Sequence, residues 1–443
     1  MFAPVSPSRV FALVDASNFY VSCERVFRPD LRTRPVVVLS NNDGCIVSRS
    51  EEVKRAGIEN GSPFFKARRQ LAAMGAEIFS SNYELYGDFS HRVMGTLETF
   101  TPDVEPYSID EAFLVFSTPR PQDRDPARLS ALAKQIQQRV LRWTGIPVRV
   151  SFATTKTLCK VGSELARSRG GTINLVWRSA RERDDLLGRV PVGDVWGVGH
   201  RTEAKLTARG FHTARDLRDA PDAWVRKTLH TVGMRTVYEL RGVSCLPLER
   251  APRPRHTLLR SRSFGAAVTD PTVMREALAT HASAACRTLR AEGLAARRLQ
   301  VLYRTGRHGT GPGHSVSLGT TFETPVSSTA EIVAATRRLL ERSWRSHDHG
   351  GRPLRYKKAG ILLVDLCQAS QTDLFGPGRS TETRLYRAVD VLNRRFGRRE
   401  KPAVQVASTH LRLPGERPAW AGARVHCSPA YTTRWDSLPV VRA

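Results

Sequence analysis

Val104-Glu-Pro-Tyr107-Ser-Ile-Asp110-Glu111-Ala-Phe113-Leu-Val-Phe116 is an apolar stretch with two adjacent acids near its centre. Its alternation predicts two short strands joined by a tight turn near Ser108–Glu111. A carboxylate in such surroundings is costly unless it is paired or holds a cation. Neighbouring strand residues face opposite sides, so Asp110 and Glu111 share one site only if the backbone turns between them. A third acid, Asp15, ends the apolar run Val10–Val14. Three carboxylates at one sheet edge make a hard-oxygen site suited to Mg²⁺. Two such ions would activate a hydroxyl nucleophile and steady a phosphate leaving group. Buried aspartates also cap helices and end strands, so either motif alone fits plain structure equally well.

Working outward, Pro35–Leu39 reads as a second buried strand, Phe19–Val26 as a helix and Ile146–Phe152 as a further strand. Ser48–Ala56 reads as a helix stopped by Gly57, and Leu85–Thr99 as another. Leu129, Leu132, Ile136, Val140 and Trp143 recur at helical spacing. Arg189–Gly242 looks mostly helical. Ala251-Pro-Arg-Pro-Arg255 reads as a stiff basic linker. Beyond it come helices over Pro271–Glu292 and Ser328–Ser343, the second opened by a Ser328/Glu331 capping box. Strands are expected over Leu299–Arg304, Ser315–Phe322 and Ala359–Leu366, with a hairpin loop over Gly306–Gly313. Compact structure is less evident from Ala369 onward. The fold class is α+β and multidomain.

The chain has 443 residues, enough for three or four domains, and 40% of them are apolar. Its formal charge is +27, which points to a polyanionic partner, nucleic acid first. From Ala251 to Gln368, 19 basic residues stand against 8 acidic; from Gly376 to Ala443, 13 stand against 5. The last 193 residues thus carry +18 of the total, and most of the backbone-gripping surface is expected there. Seven cysteines without a C-x-x-C pair argue against a zinc or disulfide framework and fit a reducing cytosol. No signal peptide or 18-residue apolar run is evident, so no membrane span is expected.

Other motifs carry chemistry more weakly. Phe19 and Tyr20 lie just past Asp15, where a ring can wall a sugar pocket or simply pack. Asn41-Asn-Asp-Gly44-Cys-Ile-Val-Ser48, with Lys54 downstream, reads as a turn running into a helix that offers N–H donors to phosphate. Lys156 and Lys160 share a helix face, suited to phosphate or to solvent. Gly197-Val-Gly199, followed by Lys205 and Leu206, resembles a helix-hairpin-helix turn, which grips phosphate without reading bases. Gln371-Thr-Asp-Leu374-Phe375 is a short segment able to dock in a partner's pocket.

Read together, PVVVLSNNDGCIVSRS, SSNYELYGDFSHRVM, YSIDEAF, TKTLCK, VPVGDVWGVGHR, SRSFG and YTTRWDSL resemble the Y family of error-prone, lesion-bypassing DNA polymerases, in its UmuC-type branch. The resemblance covers nearly the whole chain. It implies a right-hand architecture: palm over 1–22 and 89–178, small fingers over 23–88, helix-hairpin-helix thumb over 179–250, little finger over 251–368, and a clamp-binding segment with a basic tail over 369–443. It makes Asp15, Asp110 and Glu111 the ligands of two Mg²⁺ ions, assisted by the Ala16 carbonyl. Tyr20 becomes the steric gate against ribonucleotides, with Phe19 beside the incoming sugar. Ser48, Lys54 and Lys160 become triphosphate contacts. Gly197, Gly199, Lys205, Arg260 and Arg262 become DNA contacts, and Gln371, Leu374 and Phe375 the sliding-clamp contacts. The implied partners are primed template DNA, deoxynucleotides, a processed UmuD dimer, a RecA filament and the sliding clamp, in the bacterial cytoplasm and nucleoid during the SOS response. Thr372 stands where leucine is usual in the clamp motif, and Glu51 where some relatives have an aromatic phosphate contact. Ser151-Phe152 and Cys159 depart from a glycine-containing pair and a small residue. A polymerase IV-like enzyme active alone, a silent DNA-binding scaffold and a two-metal nuclease are the competing readings.

Overall fold

The structure is a computed structural model that describes residues 9–118, 120–167, 170–176, 179–249, 251, 254–306, 311–369, 380–397, 402–409 and 418–439. It divides into two compact units. The first comprises Met1–Ser40, Gly44–Pro252 and His426–Ala443; the second comprises Asn41–Asp43 and Arg253–Val425.

In the first unit the chain runs β1 (Arg9–Ala16), α1 (Phe19–Phe27), β2 (Val36–Leu39), β3 (Ile46–Arg49), α2 (Glu51–Arg55), α3 (Phe64–Ala73), β4 (Glu77–Ser80) and α4 (Tyr83–Glu98). It continues through β5 (Val104–Pro106), β6 (Glu111–Ser117), α5 (Pro126–Thr144), β7 (Val148–Ala153), α6 (Lys156–Ala166) and β8 (Thr172–Asn174). Helix α7 (Ala180–Leu187) follows, and then α8 (His200–Thr207), α9 (Ala214–Asp219) and α10 (Asp222–Leu240), as the helical reading of 189–242 requires. One sheet has the order β5-β6-β1-β7-β8; a smaller one has the order β3-β2-β4.

Strand β1 is central and buried on both faces, which is why its sequence reads as an unbroken apolar run. Val10, Ala12, Val14 and Ala16 enter the core that also holds residues of α1, α4 and α5. Phe11 and Leu13 enter the opposite core, shared with α6 and the later helices. By alternation, Asp15 falls on the α6 side. Asn18 bridges β1 and α1 in the left-handed region, at φ 49°, which a short polar side chain tolerates.

The Ser48–Ala56 helix is only partly realised. Ser48 lies in β3, paired with Val38 of β2, and helix forms only over Glu51–Arg55. Cross-strand pairing and burial of Ile46 and Ser48 override the local helical preference. The Asn41–Gly44 turn therefore leads into a strand.

The second unit contains β9 (Thr257–Val268), α11 (Pro271–Ala291), β10 (Leu294–Thr305), β11 (Ser315–Val326), α12 (Thr329–Ser343), β12 (Tyr356–Gln368) and α13 (Ser380–Phe396). Its sheet has the order β11-β10-β12-β9, with α11 and α12 on one face. Ser328 caps α12 by accepting from the Glu331 N–H at 3.3 Å. Helix α13 was not expected from the sequence. An ion pair from Arg290 Nε to Asp390 at 2.7 Å joins it to α11.

All seven cysteines are free. Among the described residues no helix is long and apolar enough to cross a membrane.

Candidate active site

Strands β6 and β7 flank β1 in antiparallel register, placing Glu111 and Arg149 directly opposite Asp15 on either side. Residues opposite one another share a face, so Glu111, Asp15 and Arg149 form one row across three strands. Asp110 escapes the alternation rule because it precedes β6. The N–H groups of Tyr107 and Ser108 both bond the Glu111 carbonyl, closing the expected turn. The Asp110 carbonyl still accepts from Ala16 N–H at 2.8 Å, which locks the turn onto the end of β1.

The acids are compensated by the protein's own cations. Arg149 Nη2 is 2.7 Å from Asp15 Oδ1, and Ser163 Oγ donates to Asp15 Oδ2 at 3.3 Å. Lys160 Nζ is 2.6 Å from Glu111 Oε2 and sits over the Tyr107 ring. Ser108 Oγ donates to Asp110 Oδ1 at 2.6 Å. Burial raises the Glu111 pKa, the charges of Asp15 and Asp110 add to that, and Lys160 opposes it. Among the described residues no three acid, imidazole or thiol groups stand close enough to grip a metal as they are. The donor set is nevertheless all oxygen, and its crowding of negative charge is what a divalent cation relieves.

Tyr20 projects from the first turn of α1. Its ring stacks on Tyr86 with centroids 4.4 Å apart and meets the edge of Tyr83 at 6.1 Å. Burial, then the Tyr83 and Asp110 charges, push its pKa up to about 12, so it is a neutral phenol. Phe19 is only 3% exposed and belongs to the core.

The phosphate candidates divide. Lys160 stands in the carboxylate row. Lys156 is buried, bonded to Glu105 at 2.6 Å and to the Pro247 carbonyl at 2.8 Å, so neither lysine is on a solvated face. Lys54 is paired with Glu51 at 2.7 Å, and Glu51 also accepts from Asn18 at 3.1 Å. Ser48 is buried in β3. The extra bulk of Ser151 is accommodated by Gly162, where a Cβ would stand 2.9 Å from the serine's own. Ser151 Oγ in turn bonds the Cys159 carbonyl.

Gly197 has φ +92°, a backbone that glycine adopts freely, and Gly199 caps α8, with Lys205 exposed one turn along. Arg260 and Arg262 lie opposite Ile361 and Ala359, both core residues, so these arginines stand on the helix-covered side of the sheet. Arg260 donates to Thr288 of α11 at 2.7 Å. The face turned away from α11 and α12 carries Arg298, Arg304 and Lys358, the last two directly opposite each other. Sequence reasoning missed these three and Arg149, although the period-2 alternation of β10 held the signal for Arg298 and Arg304. The Gln371–Phe375 segment lies outside the described residues.

Residues 14–164 match the impB/mucB/samB family, 255–374 match that family's C-terminal domain, and 383–441 match a domain of unknown function. The chain is 39% identical to protein UmuC of Salmonella typhimurium over 97% of its own length and 99% of that protein's. It is 30% identical to DNA polymerase IV of Moorella thermoacetica over 89% and 95%. A Y-family polymerase chimera of Dbh and Dpo4 superposes with a TM-score of 0.62 at 20% identity, covering 80% of this chain and 98% of that one. An acid row at the end of a central strand thus sits in a chain similar to these proteins over most of its length, and the chain belongs to the impB/mucB/samB family of Y-family DNA polymerases.

Proposed function

We propose that the chain extends a primer across damaged template DNA, with the chemistry at Asp15, Asp110 and Glu111. What supports this reading most is the position of Glu111 directly opposite Asp15, with Asp110 in the adjoining turn, its charge felt by Tyr20. The primer 3′-oxygen attacks the α-phosphorus of the incoming deoxynucleotide, the bond to the β-phosphate breaks, and pyrophosphate leaves with no protein nucleophile. Asp15, Asp110, Glu111 and the Ala16 carbonyl would hold two Mg²⁺ ions. When bound, such ions ease deprotonation of the hydroxyl and neutralise the leaving pyrophosphate.

Lys160, Lys54 and Ser48 meet the triphosphate, and the neutral Tyr20 ring closes the space that a 2′-hydroxyl needs. The Gly197–Gly199 turn and Lys205 hold the DNA backbone, as does the basic face of Arg298, Arg304 and Lys358. The right-hand assignment is palm over 1–22 and 89–178, fingers over 23–88, thumb over 179–250 and little finger over 251–368. Short fingers leave few contacts that discriminate wrong pairs, which admits lesions at the expense of fidelity. The processed UmuD dimer, RecA filament and sliding clamp follow from the resemblance alone.

The test is primer extension with Mg²⁺ and deoxynucleotides, with and without processed UmuD and activated RecA. Asp110→Ala abolishes extension while DNA binding persists. Undiminished extension by that variant would remove the carboxylate cluster from the mechanism. Robust extension by the protein alone would favour a polymerase IV-like mode.

A further inference from the structure

The chain returns to the first unit at its far end. Ser80 N–H bonds the His426 carbonyl at 2.8 Å and His426 N–H bonds Ser80 Oγ at 3.0 Å, so the returning segment extends the edge at β4. Tyr431, 6% exposed, lies flat on Phe27 with centroids 4.4 Å apart and planes 6° apart. Between these anchors, Ser428 Oγ donates to Glu24 Oε1 at 3.1 Å and accepts from Asn82 at 3.0 Å. The same Glu24 oxygen accepts from Tyr86 OH at 2.7 Å.

These contacts converge on one place. Tyr20, Glu24 and Phe27 recur at i, i+4 and i+7 on α1, so they share a face. Asn82 caps α4, the helix that carries Tyr83 and Tyr86. The tail therefore grips both helices at the point where the Tyr86 ring stacks on Tyr20. Tyr86 is fully buried and its hydroxyl is held by the carboxylate that Ser428 also holds. A ring fixed at its hydroxyl end presents a rigid plane to the ring stacked on it.

We propose that His426–Tyr431 is a positioning element for Tyr20, and through it a determinant of sugar discrimination. This rests on the reading of Tyr20 as the steric gate. It acts through Ser428, Glu24 and Tyr86 on one side and through Tyr431 and Phe27 on the other.

The experiment measures kcat/KM for a deoxynucleotide and for the matching ribonucleotide in primer extension by the full-length protein. Tyr20→Ala serves as the reference variant. Ser428→Ala and Tyr431→Ala should each raise ribonucleotide use relative to deoxynucleotide use by about fivefold, the factor that one ordinary lost hydrogen bond or one lost aromatic pair represents. Ser428→Thr keeps the hydroxyl, Tyr431→Phe keeps the stacked ring, and both should retain the wild-type ratio. Ser428→Ala removes a single oxygen, and its retained deoxynucleotide extension is the check on folding. An unchanged ratio in both alanine variants, or an equal loss on both nucleotides, would overturn the tail's role and spare the gate provided Tyr20→Ala shifts the ratio. If Tyr20→Ala leaves the ratio unchanged, the gate and the tail's role fall together.

Discussion

Arg149 Nη2 lies 2.7 Å from Asp15 Oδ1, directly across the β1–β7 pair and with both side chains 13% exposed. Arg149 Nε is buried with no partner among the described residues, so the guanidinium depends on this carboxylate. Removing the arginine leaves Asp15 beside Glu111 and Asp110 without its neighbouring cation. Arg149→Met should lower stability by roughly 3 kcal/mol, as breaking a largely buried pair does. If the acid row holds divalent cations, millimolar Mg²⁺ should restore more of the melting temperature in this variant than in wild type. Thermal melts with Mg²⁺ and with chelator check this, and equal Mg²⁺ responses would count against the metal role of Asp15.

Glu24 supplies a pH signature in the same unit. Burial raises its carboxyl from 4.5 to about 7, against the lowering effects of Tyr86 and Ser428. The folded state therefore holds a proton that the unfolded chain has released between these values. The stability from the neutral carboxyl is full below about 4.5 and is lost as pH rises through about 7. Complete ionisation costs about 3 kcal/mol. Glu24→Gln, which cannot ionise, should melt close to wild type near pH 4.5 and above it near pH 8.5, as parallel melts would read. A pH-independent difference would remove Glu24 as the titrating group.

The acid row was legible because a polar residue in an apolar strand needs a reason. Asp15 stood out at the end of Val10–Val14, and the Asp110–Glu111 pair carried its own demand for a turn, which the Tyr107 and Ser108 bonds to the Glu111 carbonyl meet. Arg149 stayed hidden because only register sets it against Asp15, and register is a property of two strands together. Ser48 was misread because Glu51–Arg55 does favour helix, while β2 pairing holds the residues before it as strand. Arg260 and Arg262 were expected to meet DNA by the family resemblance, but which face they occupy depends on their partners Ile361 and Ala359. The return of residues 426–431 to the first unit had no local signal at all, since its anchors lie some hundreds of positions away.

Glu51 bears on nucleotide affinity. It neutralises Lys54 at 2.7 Å in a partly exposed pair. Such a pair contributes at most about 1 kcal/mol. Glu51→Ala should free Lys54 and lower KM for deoxynucleotides by up to about fivefold with kcat little changed. Lys54→Ala should raise KM instead. Steady-state single-nucleotide insertion reads both, and a KM indifferent to either change would take Lys54 out of the triphosphate site.

Arg304 and Lys358 face each other on the side of the second unit's sheet turned away from α11 and α12, whereas Arg260 is turned toward α11 and bonded to Thr288. If that face tracks the phosphate backbone, each of the first two releases about one counterion on binding. The double variant Arg304→Ala with Lys358→Ala should lower the salt slope of DNA affinity by about 2 and weaken binding to all sequences alike. Arg260→Ala should change the slope less than the double variant does, because its guanidinium stands on the helix-covered side of the sheet, bonded to Thr288. Titration of a labelled primer-template at several salt concentrations separates the two cases. A larger slope change from Arg260 than from the Arg304–Lys358 pair would move the DNA path to the edge at β9.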